Sequence, residues 1–393
     1  MKYFFIVIML VAFFATACQF ERKQQQSSED TFSFVMFGDT RTESYIPYGK
    51  DSLSAIKQIL RMRYAHDSIR IAFSKEALVD TVFVLKGDQL SKVLIYKGEK
   101  FPVQILAHES DSMRQIFCEQ GLDWVYHSVA REMKSGSRFA IHGGDIVLNG
   151  SQGNTYENNP YWTYFRTHFY DKIEGNQLYP VVGNHETWMD DSISMFTQAF
   201  GHLKPLGFSP DHRIYSRDVN QSKFIALYSG TYSDSTEWNA QEPNFNTQMK
   251  YLENQLQAAI KQGMKNVFVT YHFPSFVKVG HDPLPPSQNP HDVLKKYAQQ
   301  LNVMVFNSHT HTTEYYVVDS VRYLVMGGGG APQKFTNAPN PSTEHELYWD
   351  GAPRHEEYNY LKVKVAKDQI VGTVKKFTPP AKKDSLTLFE FPI

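Results

Sequence analysis

The chain has 393 residues, a net charge of −1, 14% aromatic residues and two cysteines. Mixed charges of both signs exclude the basic surface that nucleic acid requires. With so few cysteines, a disulfide-stapled fold is excluded as well, so stability must come from a large apolar core.

Taken in chain order, Lys2 precedes an apolar run from Tyr3 to Ala17 that is too short to cross a bilayer comfortably. A basic start, a short apolar core and small residues before a break read as an export signal over residues 1–18. Ala15-Thr16-Ala17-Cys18 resembles a bacterial lipobox, with Cys18 as the lipidated first residue of the mature protein. Residues 19–30 are polar and without periodicity, a flexible tether to the following domain, residues 31–393. An exported lipoprotein anchored at Cys18, periplasmic or on the cell surface, is the expectation. Cys118 then has no partner and reads as a buried small apolar residue in a helix.

A first strand is expected over Phe32–Phe37, ending at Gly38-Asp39-Thr40-Arg41. The next apolar strand begins only near Arg138. Helical spacing of Ile116, Leu122, Val125, Val129 and Met133 places a helix over Asp111–Lys134. The intervening segment, about 43–110, reads as a small β-rich insertion. It contains a possible helix over Ser52–Tyr64 and strands at Ile69–Phe73, Thr81–Leu85, Val93–Tyr96 and Val103–Leu106.

After Phe139-Ala140-Ile141 comes Gly144-Asp145, and after Tyr179-Pro180-Val181-Val182 comes Gly183-Asn184-His185-Glu186. Helices are expected at Tyr161–Lys172, Ser192–Phe200, Thr247–Gln262 and His291–Gln300. A hairpin is expected at Ile214–Val219 and Phe224–Tyr228, turning at Asn220-Gln221. Val267–Tyr271 ends at His272, and Val303–Phe306 leads to Ser308-His309-Thr310-His311. Tyr323–Met326 runs into Gly327–Gly330, where the glycines let backbone pass close to the preceding motifs. A long surface loop follows, through Pro353. Three final alternating segments, Tyr358–Val365, Ile370–Phe377 and Leu386–Phe391, should complete a second sheet.

Asp39 and Asp145 offer carboxylates, Asn184 a carbonyl oxygen, and His272, His309 and His311 imidazoles. This mixture suits Mn, Fe or Zn better than Ca or Mg alone. Each follows a buried strand, and open α/β sheets bind ligands at the carboxyl edge of their strands. Two metals about 3.5–4 Å apart need one bridging carboxylate. Asp145, on the central strand of the set, is the natural bridge. In an extended segment His309 and His311 point to the same side, one for each metal.

The five motifs in this order resemble the calcineurin-like metallophosphoesterase superfamily over roughly Phe32–Phe377, and His272-Phe273-Pro274-Ser275-Phe276, with Glu314 shortly after His311, resembles its purple acid phosphatase branch more than its nuclease branch. Across the superfamily the pattern is D-x-H, G-D-x-x-D, G-N-H-[ED], a lone H and G-H-x-H. The resemblance implies a four-layer α/β/β/α sandwich of two mixed sheets flanked by helices, and a hydrolase of small phosphorylated substrates. It implies two divalent or trivalent transition metals, one on Asp39, Asp145 and His311, the other on Asp145, Asn184, His272 and His309. It also implies His185 as general acid, with Glu186 beside it. Three residues depart from the pattern. Arg41 replaces a metal-ligating histidine and cannot ligate, though its planar fork can hold a phosphate oxygen. Leu148 replaces the carboxylate that orients His185, and Ser308 replaces a glycine. A rival reading keeps the fold, with one metal or none, in a non-catalytic, ligand-binding lipoprotein. The other histidines, His142 included, are given no site role.

Overall fold

The computed structural model describes residues 31–41, 68–71, 79–86, 89–96, 99–103, 107–150, 155–187, 193–230, 244–277, 281–331, 346–348, 358–367, 369–378 and 382–392. The export-signal, tether and Ser52–Tyr64 readings lie outside these residues, as does the Cys118 side chain. Among the described residues, no helix is long and apolar enough to cross a membrane.

Two mixed sheets stack face to face. The first contains β1 (Phe32–Phe37), β6 (Phe139–His142), β7 (Leu178–Pro180), β15 (Tyr358–Val365), β16 (Gln369–Thr378) and β17 (Lys382–Pro392). Its order is β17-β16-β15-β1-β6-β7, with β1, β6 and β7 parallel and β15 antiparallel to β1. The second contains β8 (Tyr215–Val219), β9 (Ser222–Ala226), β10 (Asn266–Thr270), β11 (Asn302–Asn307), β12 (Thr313–Val318), β13 (Val321–Met326) and β14 (Glu346–Tyr348). Its order is β14-β12-β13-β11-β10-β9-β8, with β9, β10, β11 and β13 parallel. The last three strands therefore extend the first sheet rather than completing a second one. The reason is the register of β15, which places Val363 opposite Phe34 and seals the open edge of β1.

Strand alternation builds the layers. On β1, Phe32, Phe34 and Met36 face the space between the sheets, while Val35 and Phe37 face the helices. On β10 and β11, Phe268, Met304 and Phe306 enter the same inter-sheet core, and Val267, Val269, Val303 and Val305 face outward. Aromatic rings fill that core, with Phe34 5.3 Å from Phe139 and 5.1 Å from Phe268, and Phe139 4.7 Å from Phe224. Edge and offset contacts of this kind add about 0.5–1.5 kcal/mol each beyond the burial itself.

Helices α1 (Ala107–Lys134) and α2 (Pro160–His168) share a core with the outer face of the first sheet, joined by the single-turn-and-a-half α3 (Ser194–Ala199). On the far side, α4 (Phe245–Lys261) and α5 (His291–Tyr297) cover the second sheet through Leu252, Leu256 and Leu294. The result is a four-layer α/β/β/α sandwich, as expected. Asn159 starts α2, its Oδ1 accepting from the N–H of Tyr161 at 2.9 Å, with Pro160 at the first helical position. Asn244 caps α4 in the same way through Thr247.

A separate four-stranded antiparallel meander is made of β2 (Ser68–Ile71), β3 (Val79–Lys86), β4 (Gln89–Tyr96) and β5 (Glu99–Val103). It lies in the segment read as β-rich. Part of the expected long loop before Pro353 is instead the short strand β14, paired with β12.

Candidate metal centre

The carboxyl ends of β1, β6, β7, β10 and β11 converge on one buried group of side chains. Asp39 and Asp145 follow the neighbouring parallel strands β1 and β6, whose loops are tied by hydrogen bonds from Asp39 N to Gly144 O (3.1 Å) and Arg41 N to Asp145 O (3.2 Å). Asn184 and His185 follow β7, His272 follows β10, and His309 and His311 follow β11. All of these except Arg41 are buried.

Two donor groups share Asp145. Asp145, His272 and His309 form one, and Asp39, Asp145 and His311 the other; the ligand atoms of each lie within 4.8 Å of one another. Asn184 belongs to the first of these. Its Oδ1 is 3.0 Å from His272 Nε2 and 3.1 Å from His309 Nδ1. His309 Nδ1 and His272 Nε2 are 3.2 Å apart, and His272 Nε2 is 3.2 Å from Asp145 Oδ1. Donors placed 2.0–2.2 Å from one ion stand about 3–3.5 Å from each other. Donor atoms at these separations could hold one metal ion.

The hydrogen bonds around the group prepare it for a cation. His272 Nδ1 lies 2.8 Å from Gly143 O and donates to it, which leaves Nε2 to face the other donors. Burial works to lower the His272 pKa, but the Asp145 carboxylate outweighs it and raises the ring to about 9. Burial likewise opposes ionisation of Asp145, yet His272, His185 and Arg41 hold it well below the usual range. His309 is held well below its ordinary value, chiefly by burial. In the metal-free protein, a proton on His272 thus balances the Asp145 carboxylate. Asp39 is pushed well above the usual range by burial, against the pull of His272 and Arg41. Its two oxygens are buried and accept no well-formed hydrogen bond among the described residues. A buried carboxylate in this state points to positive charge in its surroundings.

Backbone strain is concentrated at the same place. Asp39, Asp145, His309 and His311 have φ of 53°, 55°, 72° and 56°. His309-Thr310-His311 is therefore not extended, as the sequence reading assumed. Two left-handed residues bend it, and the bend sends His309 to one donor group and His311 to the other. Gly327 and Gly329 fit against these turns because they lack Cβ. A Cβ on Gly327 would stand 2.5 Å from Asp39 Oδ2, and one on Gly329 would stand 2.2 Å from Gly38 O.

Arg41 lies inside the site. Its Nε is 3.3 Å from Asp145 Oδ2 and its Nη2 donates to His311 Nε2 at 3.0 Å. His185 Nε2 is 3.8 Å from the same Asp145 oxygen. His185 Nδ1 lies 2.5 Å from Leu148 O, so a main-chain carbonyl orients the ring in place of the missing carboxylate. Burial lowers the His185 pKa to about 4, which keeps the ring neutral at pH 7. Ser308 takes its position by packing its side chain over Gly38 and Gly143, neither of which has room for a Cβ.

Three further residues support the site: Glu186, which the sequence placed in a motif without a role of its own, and His142 and His281, which it gave none. Glu186 is a latch: its carboxylate accepts from the N–H of Asp145 (3.0 Å), Ile146 (2.8 Å), Val147 (3.2 Å) and Gly183 (2.8 Å). Burial, with Asp145 nearby, raises its pKa to about 7 against the pull of these donors. His142 Nδ1 accepts from Gly144 N at 3.2 Å, so its Nε2 carries the proton and donates to Thr40 Oγ1 at 3.0 Å; the Thr40 hydroxyl donates onward to Ile146 O. His281 stacks near His309, with ring centroids 4.5 Å apart, and stands 6.0 Å from His311. It lies in no motif and follows no apolar strand, so only the tertiary structure reveals it.

The sequence matches no family model and no curated protein. Solved structures with a similar chain path include a dimetal phosphatase from Danio rerio, at 12% identity and TM-score 0.46, covering 91% of this chain and 99% of that one. The Plasmodium protein GAP50, described as the anchor in the inner membrane complex, is similar at 13% identity and TM-score 0.44, covering 92% and 88%. A putative 5'-nucleotidase from Staphylococcus aureus is similar at 11% identity and TM-score 0.35, covering 92% and 54%. These are broad likenesses; what the fold and the site themselves define is a buried Asp/Asn/His cluster that could hold a cation, at the carboxyl edge of a double-sheet α/β sandwich.

Proposed function

We propose that the chain is a metal-dependent phosphate ester hydrolase. The observation that carries this reading is the pair of buried donor groups sharing Asp145, with His185 Nε2 3.8 Å from that carboxylate. The order of the five motifs, which resembles the metallophosphoesterases, supports it. A Mn, Fe or Zn ion held by Asp145, Asn184, His272 and His309 would lower the pKa of water and offset the charge on a phosphoryl group. Arg41 presents its remaining N–H donors to a phosphoryl oxygen, where a fixed positive charge counts most in the transition state. The arriving phosphate dianion raises the His185 pKa from its low resting value. Water gives up one proton to solvent as it attacks phosphorus, the P–O ester bond breaks, and the alkoxide takes the Nε2 proton of the His185 ring, protonated once phosphate is bound, a transfer typically worth about 10²–10⁴-fold. Leu148 O keeps that ring aimed throughout.

The substrate is a small phosphorylated molecule met outside the cytoplasm, with the enzyme tethered by lipid on Cys18. Lys2, the apolar run to Ala17 and the lipobox-like Ala15–Cys18 support the tether. Cys18→Ser should then shift the protein from the membrane to the soluble fraction.

The test is turnover by the detergent-purified full chain, loaded separately with Mn, Zn and Fe, on an aryl phosphate monoester and a diester. Metal-dependent turnover that Asp145→Asn reduces to background supports the reading, and the preferred ester places the substrate class. A folded, metal-loaded protein without turnover on either ester favours the ligand-binding lipoprotein instead.

A further inference from the structure

We propose that the guanidinium of Arg41 is the built-in cation of the Asp39–Asp145–His311 group, so that the chain takes one divalent ion, among Asp145, Asn184, His272 and His309. This rests on the cation-centre reading above, and it departs from the two ions that the motif resemblance implies.

Arg41 is placed by backbone as well as side chain. Its N–H donates to Asp145 O at 3.2 Å, within the same pair of loops that positions Asp39 and Asp145. The side chain is 11% exposed and turns inward. There it meets two of the three donors of the group, Asp145 Oδ2 at 3.3 Å and His311 Nε2 at 3.0 Å. A guanidinium has five N–H donors, no acceptor, and does not lose its proton in proteins. His311 Nε2 is therefore engaged as an acceptor. The third donor, Asp39, lies close enough to Arg41 to feel its charge. An ion entering this group must expel Arg41 from both contacts or sit beside a fixed like charge.

The other group is built differently. Its donor atoms face one another directly, Asn184 Oδ1, His272 Nε2 and His309 Nδ1 at 3.0–3.2 Å. Asp145 presents Oδ1 to this group and Oδ2 to Arg41. One carboxylate thus bridges a metal position and a guanidinium, where a two-ion centre would have it bridge two metals. For a phosphorylated ligand this gives one fixed organic cation, suited to planar two-point contact with phosphoryl oxygens, beside one exchangeable ion.

The full chain, stripped of metal and dialysed against Mn(II), tests this by elemental analysis and by electron paramagnetic resonance. Wild type should hold one Mn per chain with the spectrum of an isolated ion. Arg41→His, and the neutral Arg41→Gln, should hold two, and Arg41→His should show the exchange coupling of a close pair. Two ions in wild type would overturn the inference and leave the cation centre standing. One ion in wild type and still one in both folded variants would also overturn it, since Arg41 would not be what excludes the second. No bound Mn in folded wild type would overturn the cation-centre reading itself.

Discussion

Four of the side chains that point donors into the centre sit on left-handed backbone. Asp39, Asp145, His309 and His311 all have φ between 53° and 72°. Such residues cost about 1–3 kcal/mol each and persist where the surroundings over-determine them, most often at functional sites. Asp39 carries a second cost, because its buried carboxylate lacks a well-formed partner among the described residues. Asp39→Asn keeps the shape, tolerates the same backbone and removes the charge. It should stabilise the metal-free protein by about 1–3 kcal/mol and leave binding of the ion on Asp145, Asn184, His272 and His309 within a few-fold of wild type. Thermal melts with and without metal check both halves; a lower melting temperature in the metal-free variant would count against the account. His142 gives a pH signature. Burial, with His272 adding to it, lowers its pKa to about 3. The unfolded chain takes a proton near pH 6.5, whereas the folded ring stays neutral. Stability is therefore lost as pH falls from about 6.5 towards 3, and the unfolding constant rises by up to about tenfold per unit from this group. His142→Gln should show a shallower loss over that window in denaturant melts, and an unchanged slope would contradict the assignment.

The element scale decides how much of this was legible. Strands β1, β6, β10 and β11 were readable because each is a short apolar run ending in turn residues. Helix α4 was readable from Met249, Leu252 and Leu256 on one face, and the β8–β9 hairpin from Asn220, a residue that accepts its φ of 52°. Strand β12 was missed although Thr313–Val318 is rich in strand formers. It turns into β13 through Asp319-Ser320, at φ 48° and 66°, with no glycine or asparagine to mark the turn. Glu186 was seen in sequence, but its work was not, since its four backbone partners lie across two loops. Glu186→Gln replaces one acceptor oxygen with a donor, so two of those N–H groups lose their partner. We expect a loss of about 2–4 kcal/mol and weaker metal binding, read from melts and metal titration. A variant as stable as wild type would remove Glu186 from its role as latch.

At the scale of the whole molecule, stacked sheets bring five loops separated by up to 272 residues, from Asp39 to His311, to one edge. Which residue types met there could be anticipated from the strand ends. How they met could not. The guanidinium of Arg41 against His311, the Leu148 carbonyl on His185, and His281 beside His309 are all long-range contacts that no local spacing encodes. The last three strands joined the first sheet for the same reason, because β15 pairs with the strand furthest from it in sequence. The central claim is that this edge holds a metal ion. The most direct measurement is anomalous X-ray diffraction from crystals of the protein soaked in Mn(II) or Zn(II). The account predicts a strong peak about 2.0–2.2 Å from Asp145 Oδ1, Asn184 Oδ1, His272 Nε2 and His309 Nδ1. Well-ordered side chains around that point with no anomalous peak, in crystals where metal binds elsewhere, would contradict it.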